Sequence, residues 1–342
     1  MPTIQDTLNP ALLADASYVD LTPVFPGQEL TGSNLASALR NGGRLTATEA
    51  DYIAAHYDLV ATQMSGGYGF QAMVFRRKPP TGQPGDYVLA IRGSQEGVDF
   101  LQGAELTLFA RARDQAAAMY SFISQVESGG YGLPANVRFD VAGHSLGGHL
   151  VQLLASEHRE MVNQACRFNG AGLGNALALQ PADIAITLRA VWAPYHYTPI
   201  NVTNVISEPG LAVVPNWITG PRLGAAHEIF IENQAYPWQN HLIGAAVDTL
   251  ALYRAFESLV GSLQFDKEAV TNILRAASRD SLSSLPSTPA HTFTSLESIT
   301  TASTIKGLSA LGTPLVAHFD DAVPGPYGEY QMVAQNVTRH AV

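Results

Sequence analysis

Short apolar runs that end in glycine alternate along this chain with longer stretches of helical period, and that alternation sets the expected architecture. Two of the clearest strand signals, Gly69-Phe70-Gln71-Ala72-Met73-Val74-Phe75-Arg76 and Tyr87-Val88-Leu89-Ala90-Ile91-Arg92, flank a Pro/Gly turn at residues 79–85 and read as a hairpin. Further apolar runs follow at residues 137–142, at Ala165-Cys166-Arg167-Phe168-Asn169, at Val202-Thr203-Asn204-Val205-Ile206 and at Glu228-Ile229-Phe230-Ile231. Helical patterns cover Asn34 to Arg40, Thr48 to Gln63, Asp114 to Val126, His149 to Ser156 and Leu242 to Phe256, with Thr46-Ala47-Thr48-Glu49 supplying N-cap residues ahead of the second. Strands alternating with helices predict an α/β fold: a mostly parallel central sheet flanked by helices, with functional residues in loops at the carboxyl ends of strands. The first sixty residues would form a helical cover over one side of the core.

Beyond Phe256 the pattern weakens. Lys267 to Ser278 has helical character, but Asp280 to Thr304 is dense in serine and threonine and contains Pro286 and Pro289. The expected division is therefore a catalytic-type domain over residues 1–260 and a helical or linker-like appendage over 261–342. A chain of 342 residues accommodates that plan.

Composition narrows the function. Hydrophobic residues make up 46% and charged residues 14%, and no run approaches the roughly 20 apolar residues needed to span a bilayer, so a soluble protein is expected. The net charge is −10 and the basic residues are scattered, which argues against nucleic acid as a partner. Met1-Pro2-Thr3-Ile4-Gln5-Asp6 lacks the basic and apolar regions of a secretory signal; the expected location is cytoplasmic, or outside by a route that reads no such signal. Cys166 is the single cysteine and is read as a buried thiol, which leaves no intrachain disulfide and no cysteine-based metal site. Ten histidines show no H-E-x-x-H spacing, and there is no Walker loop or dinucleotide fingerprint, so neither a cofactor nor a metal is expected. Oligomeric state is left open by the sequence.

The chemistry concentrates at Gly143-His144-Ser145-Leu146-Gly147-Gly148, which joins the run at 137–142 to the helical pattern that starts at His149. Strand, sharp turn and helix around G-x-S-x-G make a nucleophile elbow: the serine backbone is strained, and side chains at the two flanking glycines would strike the neighbouring strand and helix. The serine hydroxyl then stands at a helix N-terminus, whose open N–H groups favour an oxyanion.

Taken in order, Arg92-Gly93-Ser94 at a strand end, Asp99-Phe100 shortly after it, the Gly-His-Ser-Leu-Gly-Gly elbow and Phe168-Asn169-Gly170-Ala171-Gly172 resemble the class 3 (fungal-type) lipase family of α/β-hydrolases, over about Gly69 to Tyr253. The resemblance implies an α/β-hydrolase fold and an oxyanion hole made by Ser94 and by the backbone N–H of Leu146. It also implies that His144 is structural, and that residues 98–109 stand where the family carries an apolar lid, although Leu106, Leu108 and Phe109 read equally well as core. His149 falls where the family carries a small residue.

A serine needs a base within hydrogen-bond reach and an acid to orient that base. In α/β-hydrolases the chain order is serine, acid, histidine. Glu208, in the Ser207-Glu208-Pro209-Gly210 turn, is the expected acid, with Asp183 as its competitor; the resembling family carries Asp in that turn. His241, just ahead of the last amphipathic stretch, is the expected base, with His227 second and His196 read as a structural or pocket residue. Aromatic residues at 192–197 and 236–238 are candidates for an acyl pocket. The expected activity is hydrolysis of carboxylic esters, lipid-like acyl esters above all, in the manner of a triacylglycerol lipase, phospholipase or esterase. The partners would be the ester substrate and, transiently, a lipid interface. A non-catalytic binding module on the same fold, or an acyltransferase or amidase, are the alternatives.

Overall fold

The computed structural model describes residues 7–21, 24, 28–64, 69–78, 87–93, 104–134, 136–172, 201–208, 224–231 and 241–260, of which 104–113, 252 and 255–260 are described by backbone alone. The appendage expected at 261–342 lies outside the described residues. Among the described residues seven strands, β1 (Tyr57–Met64), β2 (Gln71–Arg77), β3 (Tyr87–Ile91), β4 (Phe139–His144), β5 (Val162–Phe168), β6 (Asn201–Glu208) and β7 (Ala225–Phe230), form one sheet in chain order. The first three pair antiparallel and the rest parallel, from β3 against β4 through β6 against β7. The mostly parallel sheet that the alternation predicts is thus present, with an antiparallel hairpin edge.

The pleat divides the core in two. Met73, Phe75, Val88, Ala90, Ala142, Cys166, Phe168 and Val205 face one side, where α1 (Leu8–Ala16), α2 (Gly32–Asn41), α3 (Ala47–His56) and the last helix, α6 (Ile243–Val260), cover them. Ala72, Val74, Leu89, Ile91, Val141 and Ala165 face the other, under α4 (Ala104–Glu127) and α5 (Leu146–Glu157). Successive right-handed crossovers that advance in one direction put α4 and α5 on a single face. The second face is left to α1, α2, α3 and α6, so the described amino-terminal helices do cover one side. Cys166, the single cysteine, is buried in β5.

Two elements depart from the sequence pattern. The helical pattern over Thr48 to Gln63 divides: α3 opens on a capping box, with Glu49 N–H donating to Thr46 Oγ1 at 3.2 Å and Thr46 N–H to Glu49 Oε2 at 2.7 Å, and closes at His56. From Tyr57 the chain pairs with β2, because Tyr57 and Leu59 reach one core and Val60 and Ala61 the other. A surface helix would leave half of those side chains wet. The second is α1, a helix for which the sequence pattern held no expectation: it is buried on nearly every side (Leu8, Ala11, Leu12, Leu13, Ala14, Ala16) and so carries no amphipathic stripe. Its buried Asp15 is ion-paired with Arg44.

Candidate active site

β4 runs into the elbow and α5 leaves it. Ser145 has φ 56° and ψ −121°, outside the regions favoured by ordinary residues, and its N–H donates to the Phe168 carbonyl of β5 at 3.0 Å. The glycines on either side make this turn possible. A Cβ on Gly143 would lie 2.5 Å from the Gly147 carbonyl oxygen, and one on Gly147 would overlap the Ile91 carbonyl and come within 2.8 Å of the Arg92 backbone. Packing this close draws β3, β4 and α5 together at one point. Leu146 N–H is the first of the donors that α5 leaves without intrahelical partners, and the Leu146 side chain is buried.

His241 arrives from the other end of the chain. It sits on the turn that opens α6, and its Nε2 lies 3.0 Å from Ser145 Oγ, a geometry suited to accepting the hydroxyl proton. Burial, with a smaller contribution from neighbouring His144, holds the His241 imidazole well below its ordinary range. The neutral form of the ring, the one able to accept a proton, is therefore favoured.

His144 and Asn169 hold the His241 backbone. His144 Nε2–H donates to the His241 carbonyl at 2.7 Å, and Asn169 Nδ2 donates to the same oxygen at 3.1 Å. Asn169, at φ 47°, also donates to Ser207 Oγ at 2.9 Å and accepts from Ser207 N–H at 2.9 Å, so it binds the end of β6 to the histidine segment. Beneath the elbow helix lies Arg167, wholly buried, which donates to the Gly148 carbonyl and to Asn204 Oδ1, both at 2.7 Å, and to the Ala171 carbonyl. The sequence assigned no role to Arg167, for which a charged residue inside an apolar strand run was the available signal, and marked Asn169 only as part of the Phe168–Gly172 motif.

The structure brings Ser145 and His241 into contact and places Leu146 at the helix start beside them. Ser94 lies outside the described residues, although Gly93, next to it, is fixed by a bond from its N–H to the Tyr18 hydroxyl at 3.1 Å. Glu208 is the last residue of β6, where its carbonyl accepts from Ile231 N–H at 2.7 Å. No bond between its carboxylate and His241 is seen among the described residues. His227 is in edge strand β7, opposite Val205. Asp183, His196, the aromatic residues at 192–197 and 236–238, and residues 98–103 of the expected lid lie outside the described residues; 104–109 form the first turns of α4. His149 donates from Nδ1 to the Gly172 carbonyl at 2.7 Å, and burial lowers it to about 4. It props the loop after β5 against α5, which answers what the histidine does where a small residue was expected.

Among the described residues, Glu127, His158 and Glu160 come within metal-ligand reach of one another. They lie at the carboxyl ends of α4 and α5, about 18 Å of helix from the elbow, and both glutamates are exposed. No described helix is long and apolar enough to cross a membrane.

A family model described as phospholipase-like, the Tle-like phospholipase domain, matches residues 9–190. That stretch reaches from α1 through the elbow and ends before Glu208 and His241. Among solved structures, lipase II from Rhizopus niveus aligns with 68% of this chain and 81% of its own at 12% identity and a TM-score of 0.43. A membrane phospholipase A, described as a novel bacterial virulence factor, aligns with 57% and 82% at 13% identity and a TM-score of 0.28. No curated protein matches the chain.

Proposed function

Because this chain belongs to the Tle-like phospholipase domain family, a lipid ester hydrolase at that level, we propose that it cleaves carboxylic esters of glycerophospholipids through an acyl-enzyme on Ser145. The contact of His241 Nε2 with Ser145 Oγ at 3.0 Å is the observation that carries the reading. Ser145 Oγ attacks the ester carbonyl carbon as its proton passes to His241 Nε2, and the tetrahedral oxyanion turns to the Leu146 N–H and to Ser94. Collapse expels the alcohol, here the lysophospholipid, which takes the proton from His241. Water then enters by the same base, and the fatty acid leaves. Glu208 is the acid in this scheme, supported by chain order and by its place at the carboxyl end of β6. The family description favours a phospholipid over the triacylglycerol first expected.

A fluorophosphonate probe on the folded chain, mapped by peptide mass spectrometry, tests the nucleophile. Stoichiometric labelling at Ser145, lost in Ser145→Ala, is expected, together with release of fatty acid and lysophospholipid from phosphatidylethanolamine vesicles. Absence of labelling with detergent present would return the fold to a binding role. Labelling with release from tributyrin alone would reinstate a neutral-lipid ester.

A further inference from the structure

We propose that Tyr18 is a positioning residue for this site: its hydroxyl aligns the Gly93 turn, the elbow and the His241 segment through one continuous line of hydrogen bonds. The proposal rests on the reading of Ser145 and His241 as nucleophile and base. Gly93 N–H donates to Tyr18 Oη at 3.1 Å, Tyr18 Oη–H to His144 Nδ1 at 2.8 Å, and His144 Nε2–H to the His241 carbonyl at 2.7 Å. The direction of each bond is fixed by its last member. A carbonyl only accepts, so His144 Nε2 carries a proton; a neutral imidazole then leaves Nδ1 bare, and the tyrosine must donate to it. Burial favours that neutral form of His144, lowering it to about 4, and raises the Tyr18 hydroxyl so that it keeps its proton.

The line begins one residue before Ser94, passes through the residue before Ser145 and ends on His241 itself. It therefore connects the backbones of three segments that meet at the reaction. None of its members but His241 touches a reacting atom, so Tyr18 acts through the others. Tyr18 is in turn set from the amino-terminal cover: the Arg44 guanidinium lies 4.3 Å over its ring, and Arg44 pairs with buried Asp15 of α1. Displacing a catalytic group by about 1 Å can cost about 10²-fold in rate, and one hydroxyl here restrains three such groups.

Tyr18→Phe removes the hydroxyl and keeps the ring under Arg44. Amide exchange by mass spectrometry on the full chain should then quicken at the peptide ending in Gly93, and also at the peptide opening on His241, which Tyr18 does not contact. Quickening at Gly93 alone, or nowhere, would overturn the proposal. On a short-chain ester, kcat should fall about 10- to 100-fold with KM within about threefold. Val88→Ala, in the same core but off the line, should lower Tm and leave kcat within about twofold. An equal loss of kcat in that variant would reduce the Tyr18 effect to stability and overturn the proposal as well. If the wild type neither hydrolyses esters nor labels at Ser145, the functional reading falls, and the exchange pattern alone decides the role of Tyr18.

Discussion

The elbow and the end of β6 stand at the same carboxyl edge of the sheet, yet the chain specifies them by different means. At the elbow, two glycines without room for a Cβ, a strained Ser145 and backbone bonds to β5 fix the position of the serine hydroxyl within six consecutive residues. At the end of β6, position is set by the pleat. Ser207 follows Val205 onto the α1 and α6 face and is bound by Asn169, which also holds the His241 carbonyl. Glu208 follows Asn204 onto the face where Arg167 reaches the elbow helix. A site whose parts are consecutive is determined by local sterics. A residue delivered by the end of a strand depends on the turn beyond it.

The largest expected effect separates His241 from His227. His241→Ala should lower kcat by about 10⁶-fold, as loss of a base does where nucleophile and base act as a unit, while His227→Ala on edge strand β7 should stay within about threefold. Steady-state kinetics on one ester decides it, and the opposite ranking would move the base to β7.

Glu208→Gln tests the weaker side of the comparison next, with an expected loss of about 10⁴-fold if the carboxylate orients His241. The pH profile adds an independent sign. A carboxylate beside His241 favours the imidazolium and raises its pKa, so its removal should shift the acid limb of kcat/KM to lower pH. With burial already holding His241 below its ordinary value, that limb should lie under pH 6.5 in the wild type. A fully active Glu208→Gln with an unmoved limb would show that the pleat keeps Glu208 on the α5 face, and would pass the role to Asp183 or to no residue.

Stability should show the same asymmetry. Gly147→Ala drives a methyl into the Ile91 carbonyl, backbone that cannot move without opening β3, and should cost about 3 kcal/mol or more in urea unfolding. Ser207→Ala removes one side-chain partner of Asn169 and should cost about 1 kcal/mol. Equal costs would mean that the elbow is no more tightly determined than the strand end.

How much was legible follows the same division. The elbow, the strand–helix alternation and the order serine then histidine all lie in local pattern, and the structure brings His241 to Ser145 across 96 positions. What was not legible depends on tertiary surroundings. Tyr57 to Met64 carries residues that suit either a helix or a strand until β2 is there to pair with it. α1 lacks a stripe because nearly every side of it is covered. Arg167 and Asn169 act through carbonyls and amides of distant segments, and Tyr18 lies 126 positions from the histidine it contacts. Residue identity announces none of these contacts.

A further expected effect is the pH dependence of folding, and it too is placed at the elbow. His144 is buried and lowered from 6.5 to about 4, chiefly by desolvation. Between those values the unfolded chain binds the proton and the folded one does not, so stability rises with pH across that window, is complete above pH 6.5 and is lost as pH falls toward 4. The whole window is worth about 3 kcal/mol for His144, and His149, lowered to about 4 as well, acts in the same direction. Urea midpoints at pH 8.5, 7.5, 6, 5 and 4.5 should therefore be flat above 6.5 and fall steadily below it. His149→Gln, whose amide can still donate to the Gly172 carbonyl, should flatten that fall without changing the midpoint at pH 7.5 by more than about 1 kcal/mol of stability. A fall of undiminished slope in the variant would show that His149 takes no part in it and leave the electrostatic contrast with β6 to His144 alone.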